Sequence, residues 1–252
     1  MHVLPFGDTQ NSLLRLFNYG IQNWFARIAA PFFFVSSGFL LYRKTPLGDF
    51  SLDRTKRYVA KLARLYALWA LMYFPLKFKG ILVDPQGLAH GVLIYLRDVV
   101  FVGGYWHLWY FPALIFAVVV ISWLLSKHVS LNKILVASLC LYAVGLLGQN
   151  WFGLIKPLRV AAPELWAALK AVQQVIFTTR DGLFEGLLFV AMGAAVAYRG
   201  FKLPRKAALA GFLASYVLMF AEALVLKRLD FVLEEDMYVF LVPLTWCAFG
   251  LW

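Results

Sequence analysis

The sequence predicts an all-α fold, a polytopic transmembrane helical bundle of about 8 spans, and three observations carry that prediction. Of the 252 residues, 62% are hydrophobic and the mean hydropathy is +0.74, well beyond a soluble domain, in which roughly half the residues are apolar. Apolar runs long enough to cross a hydrocarbon core of about 30 Å as helices recur along the whole chain. Basic residues also gather beside alternate runs: Arg43, Lys44, Arg54, Lys56, Arg57 and Lys61 crowd one connection, and Arg199, Lys202, Arg205 and Lys206 another. Such clusters mark the cytoplasmic side. They account for the net charge of +11 as attraction to a cytoplasmic leaflet, so no nucleic-acid partner is expected. Cys140 and Cys247 both lie inside apolar runs, where a free thiol is an ordinary packing residue. Neither a disulfide framework nor a metal site is expected.

Taken in order, residues 9–23 read as a loop with a short interfacial helix. Span A, 24–42, is almost wholly apolar, with Arg27 just inside one end, Pro31 as an expected kink, and Ser36-Ser37-Gly38 as a close-packing step. The basic connection fixes its end as cytoplasmic, and span B, 58–76, returns outward. Residues 88–102 form either a short span or a surface-lying helix, which periodicity alone does not decide. Spans D (106–126) and E (132–149) follow, joined at Lys127-His128-Val129-Ser130. Residues 149–179 read as an external loop with an interfacial helix. Spans F (181–198) and G (207–226) flank the second basic loop, and an acidic external loop with Asp230, Glu234, Glu235 and Asp236 leads to span H, from Met237. There is no internal repeat, so a single transmembrane domain over 1–252 is expected. Met1 to Asp8 lacks the pattern of a signal peptide and the sequence stops inside an apolar run, so the outermost helices are expected to be incomplete.

Ionisable groups at membrane depth are costly and usually functional. Arg27, His107, Arg180, Asp181, Glu185 and Glu222 fall in the outer half and Arg64 in the inner half. Snorkelling accounts equally well for Arg27 and Arg64, and an interfacial aromatic belt for His107 with Trp109. Asp181 suits a helix start. Glu185, one turn deeper on the same face, resists such an explanation. Glu222 has Lys227 and Arg228 as its nearest sequence partners. Nucleophile-elbow, zinc-protease, P-loop and dinucleotide-binding patterns are missing.

The run Arg27-Ile28-Ala29-Ala30-Pro31-Phe32-Phe33-Phe34-Val35-Ser36-Ser37-Gly38-Phe39 resembles the second-helix signature of integral-membrane acyltransferase family 3, the bacterial sugar and peptidoglycan O-acetyltransferases. The basic run into Arg64, the step His107-Leu108-Trp109-Tyr110, and Arg180-Asp181-Gly182-Leu183-Phe184-Glu185-Gly186 agree with it in order. Members have about ten spans, and their first helix carries an arginine and then an essential histidine; His2 resembles that histidine. The resemblance implies a multi-pass enzyme of the bacterial inner membrane that moves an acyl group, usually acetyl from cytoplasmic acetyl-CoA, to a hydroxyl of an extracytoplasmic or lipid-linked glycan. It implies His2, Arg27 and Glu185 as catalytic residues. Arg64, Arg57 and Lys61 would attract the CoA phosphates, and His107, Trp109, Arg180, Asp181 and Ser37 would bind the acceptor. Ser36-Ser37-Gly38 would pack against the helix bearing His2.

Two alternatives stay open. One is a non-catalytic membrane module of a racemase-type resistance protein, admitting an amino acid. The other is a small-molecule transporter, though no inverted repeat or pair of broken helices supports it.

Overall fold

The computed structural model describes residues 11, 13–14, 26–45, 52–105, 107–176 and 178–252. Among these the fold is all helical, with ten α-helices and no strand. A 3₁₀ turn, Ala26–Ile28, leads into α1 (Ala29–Tyr42). Then come α2 (Asp53–Leu82), α3 (Leu88–Phe101), α4 (Tyr110–Ser126) and α5 (Leu131–Leu146). A 3₁₀ turn (Phe152–Leu154) precedes α6 (Leu158–Ala161) and α7 (Pro163–Ile176). The π-helical turn Gly182–Gly186 runs into α8 (Leu187–Arg199), and α9 (Arg205–Arg228) and α10 (Leu241–Leu251) complete the chain. His2, most of the 9–23 segment and the first residues of span A lie outside the described residues.

Among the described residues, three helical stretches are long and apolar enough to cross a membrane: α2, the π-turn with α8, and α9. Four shorter apolar helices, α1, α4, α5 and α10, accompany them. The predicted spans therefore all recur as helices, but length and composition mark fewer of them as crossing than the eight expected. The segment at 88–102 is a 14-residue helix, α3, and the stretch after α5 holds the short α6 and the longer α7. The α2–α3 turn is organised by Asp84, whose Oδ1 accepts the Gln86 amide and bonds His90 Nδ1. Those bonds, the Gln86 amide first, hold its carboxyl below the ordinary range.

Two glycines bring α1 and α8 together. A Cβ added at Gly193 would press on the Val35 carbonyl and stand 2.7 Å from Phe39 N, and one at Gly38 would meet the Val190 backbone. Within the Ser36-Ser37-Gly38 step Gly38 closes on α8, because small residues there let two backbones touch; the helix expected to bear His2 as partner of that step lies outside the described residues. Ser36 Oγ donates to its own helix, at Phe32 O (2.8 Å). Pro31 makes no kink in mid-span. It sits in the first turn of α1, where the amide it lacks would be largely unpartnered in any case.

Contacts along the helices fix two ends. Tyr42 packs on Tyr198, and Tyr42 Oη, Thr55 Oγ1 and Ser122 Oγ share hydrogen bonds of 2.9–3.0 Å. That is the basic end, where Arg43, Lys127, Arg199 and Arg205 also lie. The opposite end carries Arg27, Arg180 and the acidic loop.

Candidate functional site

At the end opposite the basic loops, residues from three distant stretches meet. The Arg27 guanidinium, at the start of α1, pairs through Nη1 with Oδ1 of Asp236. Arg180 Nη1 lies 2.8 Å from the other oxygen, Oδ2. One carboxylate thus bridges two guanidiniums, an arrangement that suits the planar fork of arginine. The Arg180 guanidinium also stacks over Trp109, 4.7 Å from the ring centroid, a cation–π contact that orients it.

Glu185 sits behind this group at 2% exposure and interacts electrostatically with Arg180 and Arg27. The backbone that presents it is unusual. Asp181 caps the π-turn, its Oδ1 accepting the amides of Leu183 (2.9 Å) and Phe184 (2.8 Å), while its carbonyl accepts Gly186 N five residues on. Such one-turn π segments widen a helix locally and recur at functional sites. Glu185 Oε2 has no hydrogen-bond partner among the described residues, a costly state for a buried oxygen.

Next to the charged group lies a second polar layer. Gln149 Nε2 donates to Thr178 Oγ1 (3.1 Å) and Glu234 Oε2 (2.9 Å). Asn150 is fully buried, with neither its amide nitrogen nor its oxygen partnered among the described residues. Tyr142 Oη donates to Tyr238 O (2.7 Å) and ties α5 to the segment before α10.

The other expected site residues are placed as follows. Trp109 joins the group through Arg180. Ser37 does not; its hydroxyl bonds Tyr110 Oη (3.2 Å) where α1 meets α4. His107 is exposed, and its ring packs on Tyr73 and Tyr105. Arg57, Lys61 and Arg64 share one exposed face of α2, as their spacing requires. Arg64, however, does not belong with the basic end. Thr55 bonds Ser122 near that end, whereas Tyr66, two residues after Arg64, stacks on Phe111 at the far end of α4. Nine residues of helix, about 14 Å, separate Arg64 from Thr55. Glu222 also departs from expectation: it pairs with neither Lys227 nor Arg228. It accepts from Trp151 Nε1 (2.7 Å), Val239 N (2.9 Å) and Phe240 N (3.2 Å), and so holds the start of α10. Among the described residues no group of three or more His, Cys, Asp or Glu side chains is placed to hold a metal.

Sequence reasoning missed Asp236, because it stands in the run Glu234-Glu235-Asp236 and its partner Arg27 is 209 positions away. The available signal was charge balance: two arginines at one end of the bundle require an acid within reach.

Comparison with known proteins fits this picture. The chain is 29% identical over 230 residues to an amino-acid racemase from Enterococcus faecalis, covering 90% of this chain and 30% of that protein. A second amino-acid racemase from Enterococcus faecalis is 30% identical over 251 residues, 96% of this chain and 33% of that protein. A serine/alanine racemase from Enterococcus gallinarum is 31% identical over 228 residues, 89% of this chain and 31% of that protein. The chain thus spans about a third of the length of these relatives. No solved structure matches it. The family described as an acyltransferase domain matches residues 1–252 throughout, and the chain belongs to that family, acyltransferase family 3.

Proposed function

We propose that this protein is a membrane-embedded O-acyltransferase that moves an acyl group, most simply acetyl from cytoplasmic acetyl-CoA, to a hydroxyl of an extracytoplasmic or lipid-linked glycan. The observation that carries the reading is the meeting of Arg27, Arg180 and Glu185 at one end of the bundle, since these residues belong to two separate stretches of the family resemblance. In the reaction the acceptor hydroxyl oxygen attacks the thioester carbonyl. A C–O bond forms, the C–S bond breaks, and the CoA thiol leaves with the proton given up by the hydroxyl. A buried carboxylate with an open oxygen, Glu185, suits the task of orienting that hydroxyl and receiving its proton. The arginines suit positioning of the acceptor beside Glu185. His2 keeps the role the resemblance gives it: general base in that step, or transient acyl carrier, in which case a C–N bond to His2 forms as C–S breaks, and the hydroxyl then forms C–O as C–N breaks. The basic end is suited to collect the anionic donor, with Arg57 and Lys61 as its candidates, and the bacterial inner membrane is the setting this division of sides requires.

The test is transfer of label from [acetyl-¹⁴C]acetyl-CoA by the purified protein in vesicles carrying envelope glycan acceptors. Labelled glycan supports the proposal, and acceptor left unlabelled under conditions where the donor binds contradicts it. A second reading, a membrane module that admits an amino acid to a racemase, is favoured by the names of the three relatives. Uptake of labelled serine into vesicles without acetyl transfer would decide for it.

A further inference from the structure

Asp236 reaches the two arginines from a non-helical strap between α9 and α10. Each acid of the strap is engaged. Asp230 pairs with Lys156 (2.8 Å) and Glu235 with Lys227 (3.7 Å), both at the surface, and Glu234 accepts from Gln149 and Thr178. Two backbone bonds, Gly153 N to Phe231 O and Leu233 N to Gln149 O, seat the strap on the turn after α5. The strap's backbone is anchored beside Asp236 by the buried Met237 and Tyr238 and by the bonds of Tyr238 O, Val239 N and Phe240 N, so what the arginine pair holds is the Asp236 side chain.

That pair stays within reach of solvent. The side chains of Arg27 and Arg180 are 21% and 25% exposed and that of Asp236 12%. Glu185, in contrast, is fully enclosed. Were Asp236 to leave with nothing in its place, the two guanidiniums would lose the one carboxylate that pairs with both; Glu185, Glu234 and Glu235 act on them only electrostatically, so the lost pairing would be costly. A neutral molecule could not take its place. An oxyanion with two oxygens directed at the two guanidiniums could.

We propose that Arg27 and Arg180 form an oxyanion-binding site that the chain's own Asp236 occupies, and that the acceptor enters by displacing it with a carboxylate or phosphate of its own. Calling the ligand the acceptor rests on the acyl-transfer reading; the anion site does not. Displacement turns the Asp236 side chain away from the arginines and opens the way to Glu185, so that the acceptor's charge both selects it and uncovers the hydroxyl-handling group.

The test is binding of glucuronate (a carboxylate), glycerol 1-phosphate (a phosphate) and methyl glucoside (neutral) to the purified protein in nanodiscs, by titration calorimetry. With the internal competitor neutralised, Asp236→Asn is expected to bind at least one of the two anions about tenfold more tightly than wild type, and the anion that gains identifies the source. Methyl glucoside should not change, and adding Arg180→Gln to Asp236→Asn should abolish the gain. Lys156→Met, which loosens the strap away from the arginines, is expected to tighten the same anion by about two- to threefold; it keeps the proposal testable should Asp236→Asn not fold. Anion affinities unchanged in these variants, or a gain shared by methyl glucoside, would overturn it. Anion binding without acetyl transfer would sink the proposed reaction and leave this site standing. Acetyl transfer with unaltered anion binding would do the reverse.

Discussion

The α1–α8 pair and α2 are both apolar helices of one bundle, yet they are held in opposite ways. In the stretch Gly182–Arg199, 72% of the apolar window is buried inside the protein, whereas none of the corresponding window of α2 is. α8 is enclosed because Gly38 and Gly193 let α1 close on it, and every residue from Leu187 to Val196 is buried. α2 leaves Leu68, Leu71, Met72 and Leu76 on the surface, as a helix does when its solvent is hydrocarbon. The charged group is mounted on the first kind of element: Arg27 precedes α1, and Arg180 and Glu185 precede α8. Rigid backing on one side and a part-exposed carboxylate on the other is what a site needs if it must hold two guanidiniums apart and still admit a substrate.

The contrast can be broken most forcefully at its tightest contact. Gly193→Leu would drive a side chain into the Val35–Phe39 backbone and is expected to cost about 3 kcal/mol, read as a large loss of thermal stability in detergent. Leu71→Ala on the exposed face of α2 should stay within about 0.5 kcal/mol; equal losses at the two positions would erase the distinction. Removal of Glu222 tests the seat of α10. Glu222→Ala strips partners from Trp151, Val239 and Phe240 and is expected to cost about 2 kcal/mol, whereas a Lys227→Ala change should be nearly silent. The smallest effect is at the π-turn: Asp181→Ala removes the cap for Leu183 and Phe184, at about 1 kcal/mol, and Asp181→Asn should recover most of it.

Much of this was legible before any coordinates. The run of phenylalanines after Arg27, the small residues at 36–38 and the carboxylate at 185 stand out against an apolar background, where any polar residue carries information. Arg180 was equally visible. What sequence could not supply were partners across the bundle. Asp236 looked like one acid among several in an external loop, and Glu222 looked for its partner among its neighbours. Its true partners are a tryptophan 71 positions back and two backbone amides, and backbone donors leave no trace in composition. The position of Arg64 misled for a different reason: α2 is 30 residues long, more than a single crossing needs, so its register against α4 could not be counted from the charge cluster at its start.

The central claim is that the group around Glu185 performs acyl transfer, and its most direct test compares the rate of acetyl transfer to glycan in wild type, Glu185→Gln and Leu71→Ala at matched thermal stability. The account expects Glu185→Gln to fall by about 100-fold or more while Leu71→Ala keeps the wild-type rate. Transfer by Glu185→Gln at the wild-type rate would contradict it.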